Sequence, residues 1–255
     1  MIVAPSKTQE LGKTLPHPVT EPVFLGDAAR LIEELQKMTA SDLAGLMKMS
    51  ERLAIQTAAR IASFELPFTT ANASCAIAVF QGDVYSRIRL DSYGKEELAY
   101  MQGHLRILSG LYGILRPLDL MQQYRLEMGC RLPNSRGKNL YEFWGNRVTE
   151  ELNHVLAGHG EQIVVNLASA EYSRVIKKKA LCGKVLQIEF KERKGDTYRT
   201  VAIHAKRARG MMVDFAVRNR LENVRQLQEF RESSYRFRPE LSSAECFCFT
   251  RDGTA

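Results

Sequence analysis

Residues 105–129 read LRILSGLYGILRPLDLMQQYRLEMG, and the fold of this stretch decides what surrounds it. It is strongly apolar, yet Gly110, Gly113 and Pro117 interrupt it. Leu98, Met101, Leu105 and Leu108 recur at helical spacing, which predicts a helix over residues 95–108. An abrupt stop at residues 109–113 and a second short helical piece meeting Pro117 follow. Two arrangements account for the glycines. One is a buried corner behind a C-cap glycine. The other is a hairpin between short helices whose amides stay free for an anion, because Gly110 and Gly113 let a phosphate approach the main chain. Arg116 lies one turn on and would add a charge-assisted contact. The second arrangement is the logic of a helix-hairpin-helix motif, which grips DNA backbone without reading sequence. That motif usually has one apolar residue between its glycines; here there are two, Leu111 and Tyr112.

Working outward, MIV at the start and QIVVNLAS at residues 162–169 read as buried strands. CAIAVF at residues 75–80 reads as another. VLQIEF and TYRTVAIHA flank KERKGD, which predicts an antiparallel hairpin turning at Gly195–Asp196. AECFCF is a last strand. Helices are predicted over residues 27–38, from Thr39 with Asp42 as a capping box, after Ser50, over residues 140–156, near Glu171 and over residues 208–219. Strands scattered among helices, with one hairpin, predict an α+β fold: a mixed sheet wrapped by many helices. No repeat or long linker divides the chain, which reads as one unit over residues 1–255.

The 45% hydrophobic content of this 255-residue chain suits a globular protein with a sizeable core. MIVAPSKTQE lacks the basic region and apolar run of a secretory signal, and no apolar run approaches the ~20 residues of a bilayer span. A cytoplasmic protein without a membrane partner is expected. Five cysteines, odd in number and widely spread, do not suggest a disulfide framework; Cys246 and Cys248 share a strand face and read as small core residues. His154 and His159 are five apart, off the spacing of a helix-borne metal pair, so no metal is predicted. G-x-G-x-x-G, Walker and H-E-x-x-H motifs are missing, and no cofactor is expected.

Net charge is +7, and its distribution carries more information. Residues 171–210 hold 12 Lys/Arg against 4 Asp/Glu, a balance of +8, which leaves −1 for the rest of the chain. Such clustering points to an anionic partner, with nucleic acid the commonest. AKRARG at residues 205–210 enters a helix, so Lys206, Arg207 and Arg209 crowd its amino end. Cations there oppose the helix dipole, an arrangement an anion would relieve. Strand exits offer a third site. Lys7 follows the first strand; Asn166, Ser169 and Glu171 lie where another strand becomes a helix. Ligands gather at such ends in α/β sheets. Convergence there with Arg125 and Glu127 of YRLEMG would make a polar pocket able to hold an anion. A Lys beside a carboxylate would further allow lyase- or glycosylase-type chemistry, with Lys7 and Glu127 or Glu171 as reacting groups. Taken singly, these residues read as an N-cap, a dipole complement and an exposed lysine. Trp144 and Tyr141, at helical spacing, read as core, or as a base-stacking pair if they line a groove.

PSKT, FQGDVY at residues 80–85, the stretch 105–129, NLYEFWG, VVNLASAEY and KRARGMM together resemble the YaaA family of bacterial peroxide-stress proteins, nearly end to end. APSKTQE stands where the family more often has SPAKTLD. The resemblance implies cytoplasmic action in the hydrogen-peroxide response, a mixed α/β fold, and DNA binding through a basic cleft and a helix-hairpin-helix element; the leading expectation is a protein that recognises duplex backbone or distorted DNA with little sequence preference. Carried onto this chain, the hairpin falls on Leu108, Gly110, Leu111, Tyr112 and Gly113, with Arg116; Lys206, Arg207 and Arg209 are assigned to the cleft on charge. No settled catalytic activity is implied. An enzyme acting on nucleotides or damaged DNA bases is the alternative. Iron sequestration ranks last, for want of ligands at metal spacing.

Overall fold

The computed structural model describes residues 1–10, 15 and 17–252. The chain opens with β1 (Ile2–Val3), then α1 (Leu25–Gln36), α2 (Ala40–Met47) and α3 (Glu51–Ala62). β2 (Ser74–Cys75) and α4 (Ala76–Val79) lead to α5 (Lys95–His104), β3 (Arg106–Ser109), β4 (Gly113–Leu115) and β5 (Leu120–Met121). The second half holds α6 (Leu140–Trp144), α7 (Arg147–Leu156), β6 (Ile163–Asn166), α8 (Ala170–Ser173), β7 (Lys184–Lys194), β8 (Thr197–Arg199), α9 (Ala202–Asn219), β9 (Arg236–Phe237) and β10 (Cys246–Arg251). As expected, it is a mixed sheet packed among helices.

The stretch 105–117 departs from its helical reading. α5 ends at His104; the N–H of Leu105 still reaches Met101 O although its backbone is extended (φ −106°, ψ 138°). Arg106–Ser109 then pairs in parallel with β1 and antiparallel with β4. All four residues of β3 are buried. A strand covered on both faces is apolar at nearly every position, so its pattern mimics a buried helix. The glycines serve packing. A Cβ on Gly110 would lie 2.2 Å from Leu126 O, and one on Gly113 (φ +70°) would lie 2.8 Å from the Trp144 ring. Trp144 Nε1 donates to Gly110 O at 3.0 Å, and Tyr112 N–H donates to Ser109 Oγ at 2.9 Å. The buried corner is therefore the arrangement found, formed by a β-hairpin rather than two helices.

Three smaller differences have similar causes. CAIAVF is a strand only at Cys75; Ala76–Val79 coils into one helical turn whose first amides, Ala76 and Ile77, donate to Asp119 O and Pro117 O. The helix read over 140–156 breaks at Gly145 (φ +51°). α9 begins at Ala202, six residues early, because β8 is only three residues long. The predicted Thr39–Asp42 capping box and the turn at Gly195–Asp196 are present.

Across the main sheet the strand order is β4-β3-β1-β6-β7-β10-β9, with β8 folded back on β7. β3, β1, β6, β7 and β10 run parallel. From β1 the chain passes to β3 on one side; from β6, on the other side of β1, it passes to β7. The order therefore reverses between β1 and β6, a topological switch point, and ligands of such sheets bind outside the strand carboxyl ends there. Burial alternates along β7: Leu186, Ile188, Phe190 and Glu192 are covered, with α9 packed on β7, while Val185, Gln187, Glu189 and Lys191 stay half-exposed.

Candidate functional site at the strand carboxyl ends

Three strand exits and one crossing segment build the site. β1 leads through Ala4 to Lys7, β6 leads through Asn166 to Glu171, and β3 ends at Ser109. Residues 122–130 cross above them. Gly110 lets the Leu126 backbone close directly on the end of β3. Ser109 Oγ and Tyr124 Oη share a 2.7 Å hydrogen bond. Tyr124 N–H donates to Gln9 Oε1 at 2.9 Å, and Gln123 Nε2 donates to Gln9 O at 2.8 Å. Gly129 N–H donates to Glu171 Oε1 at 2.9 Å. Lys7 Nζ lies 2.8 Å from Glu127 Oε1. The crossing segment is thus tied to both strands of the switch point.

Electrostatics bear out the clustering. Burial pushes the Cys130 thiol up, the charges of Glu127 and Glu171 add to it, and Lys7 opposes them. The Lys7 side chain is 61% exposed against 22% for Glu127, so the pair sits at the surface. The cleft between Lys7, Arg125, Glu127 and Tyr172 encloses about 10 Å³. That is roughly the volume one water requires.

α9 reaches the same edge. A Cβ on Gly210 would fall 1.9 Å from Val84 O, so this helix lies directly on the segment after FQGD. Arg207 Nε donates to Asp83 Oδ1 at 3.0 Å. Gly82 (φ +96°) brings that loop to Ser6, with 3.0 Å between a notional Cβ and Ser6 Oγ. The KRARG helix, the FQGD loop and the exit of β1 therefore adjoin. Lys206 is exposed, and Arg209 is half-buried with an Nε that meets no acceptor.

The other predicted residues are distributed as follows. Arg125 is half-buried beside Lys7, its Nε without an acceptor. Ser169 is the N-cap of α8, but its hydroxyl makes no capping bond. Asn166 is 4% exposed, and its amide is turned toward Ala168 and Gln187. Leu108, Gly110, Leu111, Tyr112 and Gly113 are buried, so the hairpin assigned to phosphate presents no amide to solvent. Arg116 is held by Asp119, 0% exposed, through Nε at 2.9 Å, and by Glu21 O through its terminal nitrogen at 2.7 Å. Trp144 is fully buried, which removes it as a base-stacking residue. Gln9, Asp83 and Tyr85, whose Oη donates to Ala4 O at 2.9 Å, were missed as organisers of the edge. Gly82 inside FQGDVY was the available signal. Among the described residues no three His, Cys, Asp or Glu side chains group to hold a metal, and no helix is long and apolar enough to cross a membrane.

A short hairpin between helices does occur elsewhere. α2 and α3 are joined through Lys48, Met49 and Ser50, with Lys48 in the left-handed region (φ 49°). Ser50, the N-cap of α3, makes no side-chain bond to the helix, and Lys48, Ser50 and Arg52 are exposed.

The family model described as peroxide stress protein YaaA matches residues 1–241. A UPF0246 protein of Cellvibrio japonicus is 46% identical over 253 residues, covering 98% of both chains. Another, of Acaryochloris marina, is 45% identical over 252 residues, covering 99% of both. With a family model over nearly its whole length and relatives this similar from end to end, the chain belongs to the YaaA family of peroxide stress proteins.

Proposed function

We propose that this member of a peroxide-stress family binds DNA backbone along the carboxyl edge of the sheet, with little sequence preference. One observation carries the reading: the segment 171–210, which holds the chain's whole positive excess, ends in the helix whose Arg207 is anchored beside the exit of β1. Lys7, Lys206 and half-buried Arg125 line or adjoin that edge, and Lys177, Lys178 and Lys179 belong to the same basic segment. The amides assigned to phosphate at residues 108–113 are unavailable, so the hairpin role passes to the exposed residues Lys48, Ser50 and Arg52, where the first amides of α3 have no intrahelical acceptor.

The nucleotide-modifying alternative has Lys7 and Glu127 at contact distance in its favour. Two features favour binding over chemistry. Lys7 is exposed and ion-paired, the state of a cation that holds an anion rather than of a desolvated amine nucleophile. The cleft beside it has room for a water and not for a base.

The test is binding to a labelled duplex across a salt series. Phosphate contacts release counterions, so log K should fall linearly with log salt, by about 0.9 per phosphate neutralised. Lys206→Ala and Lys48→Ala should each weaken unrelated sequences alike and lower that slope by about 1. A salt-independent affinity, or none, overturns the reading.

A further inference from the structure

A second cavity, of about 370 Å³, lies between β6, β7, the segment after α8 and the turn before β10. It shares no lining residue with the Lys7–Glu127 cleft. Its volume falls in the range of ligand pockets, roughly 300–1,000 Å³. Ile2, Ile176 and Val185 give it apolar walls; Gln187, Lys178 and Glu245 give it polar ones.

A chain of amides fixes what this cavity offers. Ala168 N–H donates to Asn166 Oδ1 at 2.9 Å, so Asn166 must present its Nδ2 on the other side. That Nδ2 donates to Gln187 Oε1 at 2.8 Å. Gln187 therefore turns its Nε2, which has no partner among the described residues, toward the remaining space as a donor. Reversing the amide would face donor to donor against a residue that is 4% exposed. The Gln187 main chain is bonded to Glu245 O at 2.8 Å, which brings a carboxylate-bearing residue alongside. Lys178, exposed at the mouth, adds an ammonium.

We propose that this cavity receives one nucleotide whose base sets a carbonyl beside a ring N–H. Gln187 Nε2 donates to the carbonyl, Glu245 accepts from the ring N–H, Ile176 and Val185 sandwich the base, and Lys178 meets the phosphate. Guanine, thymine and uracil carry that edge. Adenine and cytosine set an amino group beside a ring acceptor, the reverse order, and would leave both protein groups opposed. No bond is made or broken. The source of the nucleotide, free or an unpaired position in DNA, rests on the DNA-binding reading; the pocket chemistry does not.

Calorimetry with deoxyguanosine, thymidine, deoxyadenosine and deoxycytidine monophosphates tests the pocket alone. The first two should bind more tightly than the others by on the order of tenfold, since an opposed polar pair costs about that much. Gln187→Leu should erase the preference. If that variant unfolds, Lys178→Ala on the protein surface still decides: it should weaken deoxyguanosine monophosphate and leave deoxyguanosine unchanged. In parallel, an oligonucleotide duplex with one unpaired guanine is compared with its fully paired form. Tighter binding of the unpaired form, lost in Gln187→Leu, assigns the pocket to DNA. Mononucleotide binding without duplex binding keeps the pocket and removes the DNA reading. Duplex binding with equal or absent response to all four mononucleotides overturns the pocket and leaves the DNA reading standing.

Discussion

Gly110 has no space for a side chain: Leu126 O stands 2.2 Å from where a Cβ would go. Gly110→Ala must push residues 126–127 off the end of β3, and overpacking of this kind costs about 1–3 kcal/mol. Urea denaturation should report that loss whether or not DNA is present; an unchanged midpoint would mean the corner is looser than its contacts. Arg116 and Asp119 make a related point. Burial pushes the Asp119 carboxyl up, and bonds from Thr20 and Arg116 pull it back. Asp119→Ala strands the Arg116 amide and guanidinium and the Thr20 hydroxyl, so a loss of roughly 3–5 kcal/mol is expected in the same assay. Lys7 and Glu127 should behave in the opposite way. With Lys7 61% exposed, their bridge contributes at most about 1 kcal/mol. Lys7→Met should therefore leave the urea midpoint nearly unchanged while lowering the salt slope of duplex binding by about 1. A large fall in stability without a change in slope would make Lys7 a structural residue.

At the scale of elements, the capping box of α2 permits a sharp expectation. Thr39 Oγ1 accepts from Asp42 N–H at 3.2 Å while Asp42 Oδ2 accepts from Thr39 N–H at 2.9 Å. Thr39→Ala should cost about 1 kcal/mol, and because α2 opens the Lys48–Ser50 hairpin it should also weaken duplex binding; a stability loss with unaltered affinity would detach the hairpin from DNA. This box was legible in sequence because capping is local: two residues three apart suffice. So were β7 and β8, which announce themselves by alternation and a Gly-Asp turn. β3 was not, because Leu98, Met101, Leu105 and Leu108 keep a helical rhythm across a real boundary at Leu105. What ends the helix there is non-local: pairing of Arg106 and Ile107 with Ile2 and Val3, a hundred residues away in the chain. The same holds for the site. Lys7 and Glu171 could be singled out as strand exits, and Glu127 as a residue that would join them, but their meeting depends on how the crossing segment 122–130 lies over both strands, which no spacing encodes. Arg207 could be read as basic, yet its anchor, Asp83, lies at the far end of another loop.

For the molecule as a whole, several bases are buried together at the edge where the parallel strands begin, and acid should act on them. At that edge the Met1 amine donates to His104 O at 2.6 Å, His104 stacks on Tyr100 with ring centres 3.9 Å apart, and His159 lies 4.7 Å from His104. Burial, followed by the charge of Arg106, lowers the Met1 amine from 8.0 to about 5. Burial also lowers both histidines, with Arg106 and the amine adding to it. These bases are neutral in the fold but take up protons in the unfolded chain once pH drops below their ordinary values. The unfolded state then binds more protons, so stability must fall as pH falls. The amine alone accounts for about 3 kcal/mol lost between pH 8 and pH 5, and the histidines deepen the loss below about pH 6.5. Carboxylates such as Asp42 and Glu142, whose values are lowered by hydrogen bonds from Thr39 and from Lys138 and Asn139, act only in stronger acid. Urea midpoints at pH 8, 6.5 and 5 should therefore descend steadily. His104→Phe retains a ring against Tyr100 and removes one titrating group, so its curve should be flatter below pH 6.5. A midpoint that holds or rises on acidification would show that water reaches this edge and that the amine and both rings are not buried together.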